Sequence, residues 1–373
     1  MYTIDEDNKP LFISFSGGET SGDMLIRLCN EYAGKRKIIV LFANTGQEDE
    51  RTLIFVKQIE DYYKIPIIWI EAIINIGKVV NGKKHIFDAL QWIRITRKLK
   101  KKIGAEKAQI YLNNLPYFKI GPRHRVVNFE TASRHGQPFR GIIAKHGIPN
   151  KPNPHCTRDL KTRPMEHYLK TIGLFDYHTA IGIRYDEPER IGSKFYPMYN
   201  WKITKQHVNQ SWDLRPFRLT LKGYEGNCRW CWKKSLRKHL TIASNTPDAY
   251  DFPIEMEKEY GYFIPQHRID AMMKKGVEIS LPITFFRENI SAVDILKRSK
   301  GFTQFATDDR INMAVQGTLD FDVVEKMRSL IERGVEPGEA AKIAIKLDSD
   351  IADFEEFDRE DFECGQNSCE PFK

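Results

Sequence analysis

The chain has 373 residues, 41% of them hydrophobic, which is enough for two domains or for one large domain with an appendage. No apolar run approaches the ~20 residues that cross a bilayer, and the polar segment 1–10 does not have the pattern of a secretory signal, which predicts a cytoplasmic protein without a membrane partner. Six cysteines are too few for a disulfide scaffold, and the net charge of +8 favours an acidic partner, either a nucleic acid or a small polyanion.

Strands and helices alternate up to residue 71. The predicted elements are a strand at 11–16, a helix at 21–33, a strand at 38–42, a second helix with Leu53, Val56, Ile59 and Tyr63 on its apolar face, and a strand at 65–71. This order predicts an α/β fold with a parallel twisted sheet flanked by helices. Ligands bind outside the carboxyl ends of the strands in such sheets, so the turns after the first two strands are candidate binding elements.

The turn after the first strand reads Ser16-Gly17-Gly18-Glu19-Thr20-Ser21 and leads into a helix. Glycines, hydroxyls and a helix N-terminus suit a phosphate or pyrophosphate, and the alternative is a plain strand-to-helix turn. The turn resembles the PP-loop, S-G-G-x-D-S, of the N-type ATP pyrophosphatases, which share the adenine nucleotide alpha hydrolase-like fold with phosphoadenosine phosphosulfate (PAPS) reductases. Thr20 stands where that family usually has Asp. The nucleotide-binding candidates in this stretch are Ser14, Ser16, Gly17, Gly18, Thr20 and Ser21.

The turn after the second strand reads Asn44-Thr45-Gly46-Gln47-Glu48. On its own it predicts a type I turn and a helix cap. Together with Phe42, Thr52 and Phe55 it resembles the F-x-N-T-G-x-E…T…F pattern of PAPS-reductase-like proteins, in which this turn lies beside the adenosine. The resemblance implies nucleotide contacts for Asn44, Thr45, Gly46 and Glu48.

The segment from about 75 to 150 is interpreted as a basic insertion in the nucleotide-binding domain. Residues 87–103 predict a helix that carries Arg94, Arg97, Lys98, Lys100, Lys101 and Lys102. These cations are either a solvated helix face or contacts to nucleic-acid phosphates. Frequent glycine and proline predict turns and loops from 135 to 154.

The run from Cys156 to Met165 places a cysteine and several cations at the start of a predicted helix, where anions bind favourably. It resembles the C-T-x-x-L-K-x-x-P run of the same family, which implies that Arg158 and Lys161 contact phosphate or substrate. The alternative is a solvated, capped helix.

A fourth strand is predicted at 177–184, and Tyr185-Asp186-Glu187-Pro188-Glu189-Arg190 follows it. The element resembles G-x-R-x-D-E-x-x-R of phage-type PAPS-reductase-like proteins. Carboxylates among arginines suit either Mg²⁺-phosphate handling or an ion-pair latch. Arg184 and Arg190 are therefore further nucleotide-binding candidates, and Asp186 is a catalytic candidate.

Cys228 and Cys231 form a C-x-x-C motif. The motif is a metal or cluster site, a redox dithiol or a coincidence, and its late position disfavours a thioredoxin-like dithiol. With Cys156 it supplies three thiolates for zinc or for an iron–sulfur cluster. The fourth ligand is one of Cys364, Cys369, His155 and His239.

PP-loop thiolation enzymes that look similar hold an iron–sulfur cluster through three cysteines, and the DNA-phosphorothioation sulfurtransferases carry a related cysteine set. The resemblance therefore favours a cluster over zinc and makes Cys156 a catalytic candidate. Cys29 lies in the first predicted helix and is expected in the core.

We divide the chain into a nucleotide-binding domain, 1–212, and a helical region, 213–373, that holds the C-x-x-C motif and a cysteine-containing acidic tail. Helices are predicted at 253–261, 265–275, 321–333 and 339–347. Glu363-Cys364-Gly365 resembles the mobile tail of PAPS reductases, which makes Cys364 a catalytic candidate. The alternatives are that Cys364 or Cys369 ligates a metal, or that the two form a redox pair.

The resemblance covers most of residues 11–240 and leads to three hypotheses. The first is a PP-loop enzyme that binds ATP and Mg²⁺, adenylates a DNA, RNA or nucleotide acceptor, and inserts sulfur from a donor protein. The second is a reductase of PAPS or adenosine phosphosulfate (APS) with Cys364 as nucleophile. The third is a non-catalytic nucleotide or nucleic-acid-binding module with a structural zinc.

Overall fold

The computed structural model describes residue 4 and residues 7–151, 153–274, 276 and 281–308. The strands are β1 (Leu11–Phe15), β2 (Ile38–Ala43), β3 (Ile67–Ala72), β4 (Asn75–Val80), β5 (Lys83–Asp88), β6 (His124–Val127) and β7 (His178–Ala180). The helices are α1 (Glu19–Tyr32), α2 (Glu50–Tyr63), α3 (Ala89–Ile103), α4 (Ala105–Asn114), α5 (Gln137–His146), α6 (His155–Thr157), α7 (Arg163–Thr171), α8 (Pro197–Asn200), α9 (Lys205–Asp213), α10 (Leu236–Asn245), α11 (Asp251–Tyr260), α12 (Gln266–Lys274) and α13 (Ala292–Ser299).

The central sheet has five strands in the order β6-β3-β2-β1-β7. β7, β1, β2 and β3 run parallel, and β6 pairs antiparallel with β3 at the edge. The prediction of an α/β fold with a largely parallel sheet is confirmed. β6 was not predicted, because an edge strand that is only half-buried lacks the apolar run of a central strand.

Alternate side chains of the central strands pack into two cores, one on each face of the sheet. Ile13 and Phe15 of β1 pack with Met24 of α1 and with α2. Phe12 of β1 and Leu41 of β2 face the other core. Successive side chains of a strand point to opposite faces of the sheet, and helices cover both faces. Nearly every side chain of a central strand is therefore buried, which explains the continuous apolar runs in the sequence.

The expectation of loops from 135 to 154 is wrong, because α5 lies inside this segment. Gly136 and Gly147 flank the helix with φ angles of 73° and 77°, and Pro138 lies in its first turn. Here glycine and proline begin and end a helix instead of marking an irregular loop.

The basic insertion and the C-terminal region share one core in which Trp92 and Phe139 pack with Trp230, Tyr250 and other apolar residues. The insertion also contains the antiparallel hairpin of β4 and β5, which was not predicted. The predicted helices at 253–261 and 265–275 correspond to α11 and α12, whereas those at 321–333 and 339–347 lie outside the described residues.

Cys29 packs against the core beneath α1, as expected, and burial raises the pKa of its thiol to about 11. Within the described part of the chain, none of the helices has the length and apolar character needed to span a membrane.

Candidate functional site

The chain reverses its order in the sheet between β1 and β7, since β2 and β3 lie on one side of β1 and β7 lies on the other. At such a reversal the loops after the two strands diverge and leave a crevice at their carboxyl ends. Here the loops are Ser16–Gly18 and the segment that begins at Ile181. The segment after β7 approaches the first turn of α1 closely, since a Cβ on Gly182 would lie 3.2 Å from the Cα of Ser21.

Steric contacts and hydrogen bonds fix the conformation of the loop after β1. Gly17 has a φ of 82°, and a Cβ there would lie 2.8 Å from Thr52 and 2.9 Å from Phe42. The Ser21 hydroxyl lies 2.8 Å from that of Ser16 and donates to the Gly18 carbonyl at 3.0 Å. α1 begins after Gly18 without a side-chain cap, so its first N–H groups are available to a ligand.

A cavity of about 470 Å³, called the first cavity below, opens at this crevice. Ser16, Gly18, Thr20 and Ser21 line it. Six basic residues also line it: Lys161, Arg184, Arg190, Lys205, Lys222 and Lys234. Its two acidic residues are Glu19 and Glu187, so the lining carries an excess of positive charge that suits a polyanion.

Both carboxylates of the first cavity are already engaged by arginines. Arg218 donates to the Glu19 carboxylate at 3.0 and 3.1 Å. Glu187 pairs with Arg190 and lies 3.5 Å from Arg184. The ion pairs that Glu187 forms are those expected of an ion-pair latch, one of the two alternatives that the sequence left open for the element after β7.

Thr20 stands at the position where the PP-loop pattern has Asp, and its hydroxyl accepts a hydrogen bond from Arg184 at 3.4 Å. Arg184 also donates to Asp186 at 3.0 Å. Asp186 itself is exposed and does not line the first cavity. The contact thus joins the loop after β1 to the segment after β7.

The C-x-x-C motif packs against the loop after β1, with Cys228 and Cys231 both lining the first cavity. Asn227 holds the motif there, since its side-chain amide donates to the Ser16 carbonyl at 2.7 Å. Its backbone carbonyl accepts from the N–H of Asp49 at 2.7 Å, at the start of α2. The thiols of Cys228 and Cys231 therefore lie beside the loop after β1.

The turn after β2 uses its polar atoms to hold itself and its neighbours together. The Asn44 amide donates to Glu71 at 2.6 Å and to the Ser133 carbonyl at 2.9 Å, and its oxygen accepts from the Gly46 N–H at 3.1 Å. Thr45 donates through its N–H to Glu48 at 2.8 Å. None of these residues lines the first cavity.

Glu48 nevertheless connects this turn to the first cavity. Its backbone pairs with that of Cys228, and its buried carboxylate lies 4.0 Å from the Lys161 ammonium. Ser14 lies elsewhere: it is fully buried inside β1, pairs with Leu41 in the sheet and does not line the first cavity.

Arg158 and Lys161 lie on one π-helical turn, Arg158–Thr162, between α6 and α7. Lys161 lines the first cavity, whereas Arg158 lines a different one. Arg158 and Arg163 donate to Asp159 at 2.8 and 2.6 Å. Burial would raise the pKa of Asp159, but the hydrogen bond from Arg158 and the neighbouring cations together hold that pKa below its ordinary value.

Cys156 lies in α6, and both Cys156 and Cys228 pack against the core that the basic insertion shares with the C-terminal region. Among the described residues, no three His, Cys, Asp or Glu side chains are grouped to hold a metal ion. His155 and His239 are buried, and their ring nitrogens bind the Gly147 carbonyl and Tyr250. Cys364 and Cys369, predicted as ligands or nucleophile, lie outside the described residues.

The chain is similar to a protein of Escherichia phage lambda named "Uncharacterized nin region protein ORF290". The two are 26% identical over 230 residues, which cover 61% of this chain and 67% of the relative. No protein-family model matches the chain, and no solved structure matches it.

The structure adds residues to the site that the sequence reasoning did not select. Asn227, Lys205 and Lys234 all line the first cavity. Asn227 and Lys234 flank the C-x-x-C motif, so their proximity to the cysteines was the signal that could have found them. Lys205 begins α9 and had no local signal.

Proposed function

We propose that this protein is an ATP-using enzyme of the PP-loop type, which adenylates an acceptor for sulfur transfer. ATP would bind with its pyrophosphate on Ser16–Ser21 and at the start of α1. The acceptor would be a nucleic acid or a nucleotide, and the sulfur would come from a donor protein. The observation that carries the proposal is the first cavity itself, where an uncapped helix N-terminus meets six cations at the reversal of the sheet.

The lining of the first cavity suits cleavage between the α and β phosphates. An acceptor oxygen would attack the α phosphorus, and pyrophosphate would leave with the electron pair of the broken P–O bond. Lys161, Arg184 and Arg190 would stabilise the negative charge that develops on the leaving pyrophosphate. A sulfide delivered by the donor protein would then form a bond to the activated carbon of the acceptor, and AMP would leave with the oxygen and the electron pair of the broken C–O bond.

Mg²⁺ would accompany the nucleotide in this proposal. Because Glu19 and Glu187 are paired to arginines, the ATP phosphates would supply most of its ligands. Asp186, the predicted catalytic carboxylate, is exposed and held by Arg184, so we assign it to the latch.

A cysteine-bound metal remains part of the proposal at Cys228 and Cys231, with Cys156 and either Cys364 or Cys369 as further ligands. An iron–sulfur cluster is the first choice and zinc the alternative. Since three thiolates are not grouped among the described residues, we derive no reaction step through the metal.

Release of pyrophosphate from ATP by anaerobically purified protein tests the proposal, with metal content measured on the same preparation. Lys161→Ala should lose the activity, whereas Lys37→Ala, an exposed lysine at the opposite end of β2, should retain it. Sulfite production from PAPS without pyrophosphate release from ATP would favour the reductase. Nucleotide binding without either reaction would favour the third hypothesis, a non-catalytic binding module.

A further inference from the structure

A second cavity, of about 360 Å³, lies away from the loop after β1. Its walls come from β4, α3, α5, the segment 117–120 and the π-helical turn, so most of it belongs to the basic insertion. The volume falls within the range of about 300–1,000 Å³ that is usual for small-ligand sites. The insertion therefore builds a site of its own.

Among the described residues, no carboxylate lines the second cavity. Five cations line it: Lys78, Lys119, Lys145, Arg158 and Arg163. Lys145 is partly buried and interacts electrostatically with Asp159, the carboxylate that also accepts hydrogen bonds from Arg158 and Arg163. Lys78 donates to the carbonyls of Leu112 and Leu115 at 3.3 and 3.2 Å. Burial lowers the pKa of Lys145. Because Lys145, Arg158 and Arg163 all share the single Asp159 carboxylate, a bound anion would add counter-charge at this wall of the cavity.

Aromatic side chains form another part of the wall. Trp92 is buried with the Lys78 ammonium 5.8 Å from its ring centroid, and Tyr117 and Phe118 lie nearby in the lining. The side-chain amides of Asn113 and Gln266 line the same space. Aromatic faces stack on bases, amides bind base edges, and cations bind phosphates, so the lining matches a nucleotide better than a simple anion.

Helix α3 gives the cavity Trp92 and carries four exposed cations: Arg94, Lys98, Lys101 and Lys102. The two other cations of this helix, Arg97 and Lys100, are held by Glu259 at 2.8 Å. A helix that lines a nucleotide-sized cavity and also carries exposed cations suits the phosphates of a strand more than those of a free nucleotide.

We propose that the second cavity binds one nucleotide of a single-stranded nucleic acid, with its base against the aromatic side chains and a phosphate at Lys145. The inference rests on the proposed function, because it names the acceptor of the same enzyme and where that acceptor binds. The two cavities share the π-helical turn, which gives Lys161 to the first and Arg158 to the second. The acceptor would thus bind beside the ATP site without competing for it.

The test measures binding of a fluorescein-labelled ten-nucleotide single strand, as DNA and as RNA, to the full chain in the presence of saturating α,β-methylene-ATP. Lys145→Met should weaken binding about tenfold or more, and Tyr117→Leu about fivefold or more through lost stacking. Lys37→Met removes the same charge from an exposed position that lines neither cavity, and it should weaken binding less than about twofold. Far-ultraviolet circular dichroism and the thermal midpoint show whether each variant is folded.

Equal losses for Lys145→Met and Lys37→Met would overturn the inference, since they would show diffuse attraction to the net positive charge of the protein. Oligonucleotide binding that is seen only when α,β-methylene-ATP is omitted would also overturn it, because the strand would then occupy the first cavity. A pyrimidine mononucleotide that binds as tightly as the oligonucleotide would make a free nucleotide the ligand and refute the strand.

Failure of the inference and failure of the proposed function have different results. If ATP is cleaved but no oligonucleotide binds, the second-cavity inference fails while the proposed function stands. If the oligonucleotide binds with selective loss in Lys145→Met but ATP neither binds nor reacts, the proposed function fails and the nucleic-acid site stands.

Discussion

Replacing Gly17 with alanine measures how tightly the loop after β1 is built. The φ of 82° at this residue costs an L-residue about 1–2 kcal/mol. A Cβ would also lie 2.8 Å from Thr52, 2.9 Å from Phe42 and 3.3 Å from Val56, all of which are packed in the core. Overpacking of this kind costs about 1–3 kcal/mol, so we expect Gly17→Ala to lower the free energy of unfolding by about 2–5 kcal/mol in total.

Gly34 provides the matched control for this substitution. Its φ is 72°, but a Cβ there would meet nothing within 4 Å. Gly34→Ala should therefore cost only the conformational part, about 1–2 kcal/mol. The difference between the two variants isolates the contribution of steric contact beneath the loop.

Urea denaturation of both variants, followed by circular dichroism, gives the two free energies. Titration with α,β-methylene-ATP should show weaker binding for Gly17→Ala and unchanged binding for Gly34→Ala, because only Gly17 supports the first cavity. Equal losses of stability in the two variants would refute the argument that the core beneath the loop excludes a side chain at residue 17.

Three further predictions follow from contacts of single side chains. Asn227→Ala removes the hydrogen bond to Ser16, so it should lower the free energy of unfolding by about 1–2 kcal/mol and weaken ATP binding; wild-type values in urea denaturation and titration would contradict this. Thr20→Val should raise the KM for ATP in the pyrophosphate assay more than Thr20→Ser, which keeps the hydroxyl that Arg184 contacts; equal KM values would contradict it. Burial raises the pKa of Glu257 to about 7 from an ordinary 4.5, so its contribution to stability is complete below pH 4.5 and is lost as pH rises through 7. Glu257→Gln should flatten the dependence of Tm on pH in that window, and an unchanged slope would count against the shift.

The sequence predicted the central sheet because its strands are apolar on both faces. All five residues of β1 are buried, and their run of apolar side chains around Ser14 marks them as a central strand. β6 and the hairpin strand β5 lack such runs because they are largely exposed, and local patterns therefore did not reveal them. The pattern of apolar residues in a strand depends on which of its side chains are buried. Exposed strands have no such pattern, so it cannot be used to predict them.

The candidate site was predicted in part for a related reason. The loop after β1, Arg184 and the cysteine motif have local patterns, and the fold brings them to one cavity. The contact of Asn227 with Ser16 joins residues 211 positions apart, which no local pattern encodes. The buried side-chain amide of Asn44 likewise donates hydrogen bonds to Glu71 and Ser133, which lie 27 and 89 positions away in the sequence. A buried amide needs such partners, but their positions cannot be inferred from the residues around Asn44.

The π-helical turn at Arg158–Thr162 has a consequence for comparing sequences. In a regular α-helix, residues three apart project within about 60° of each other, so Arg158 and Lys161 would share one face. The widened turn spreads them, and a single additional residue is enough to create such a turn. A homologue with one residue fewer here would have a regular helix, so both cations would project from the same face and would line one of the two cavities instead of both.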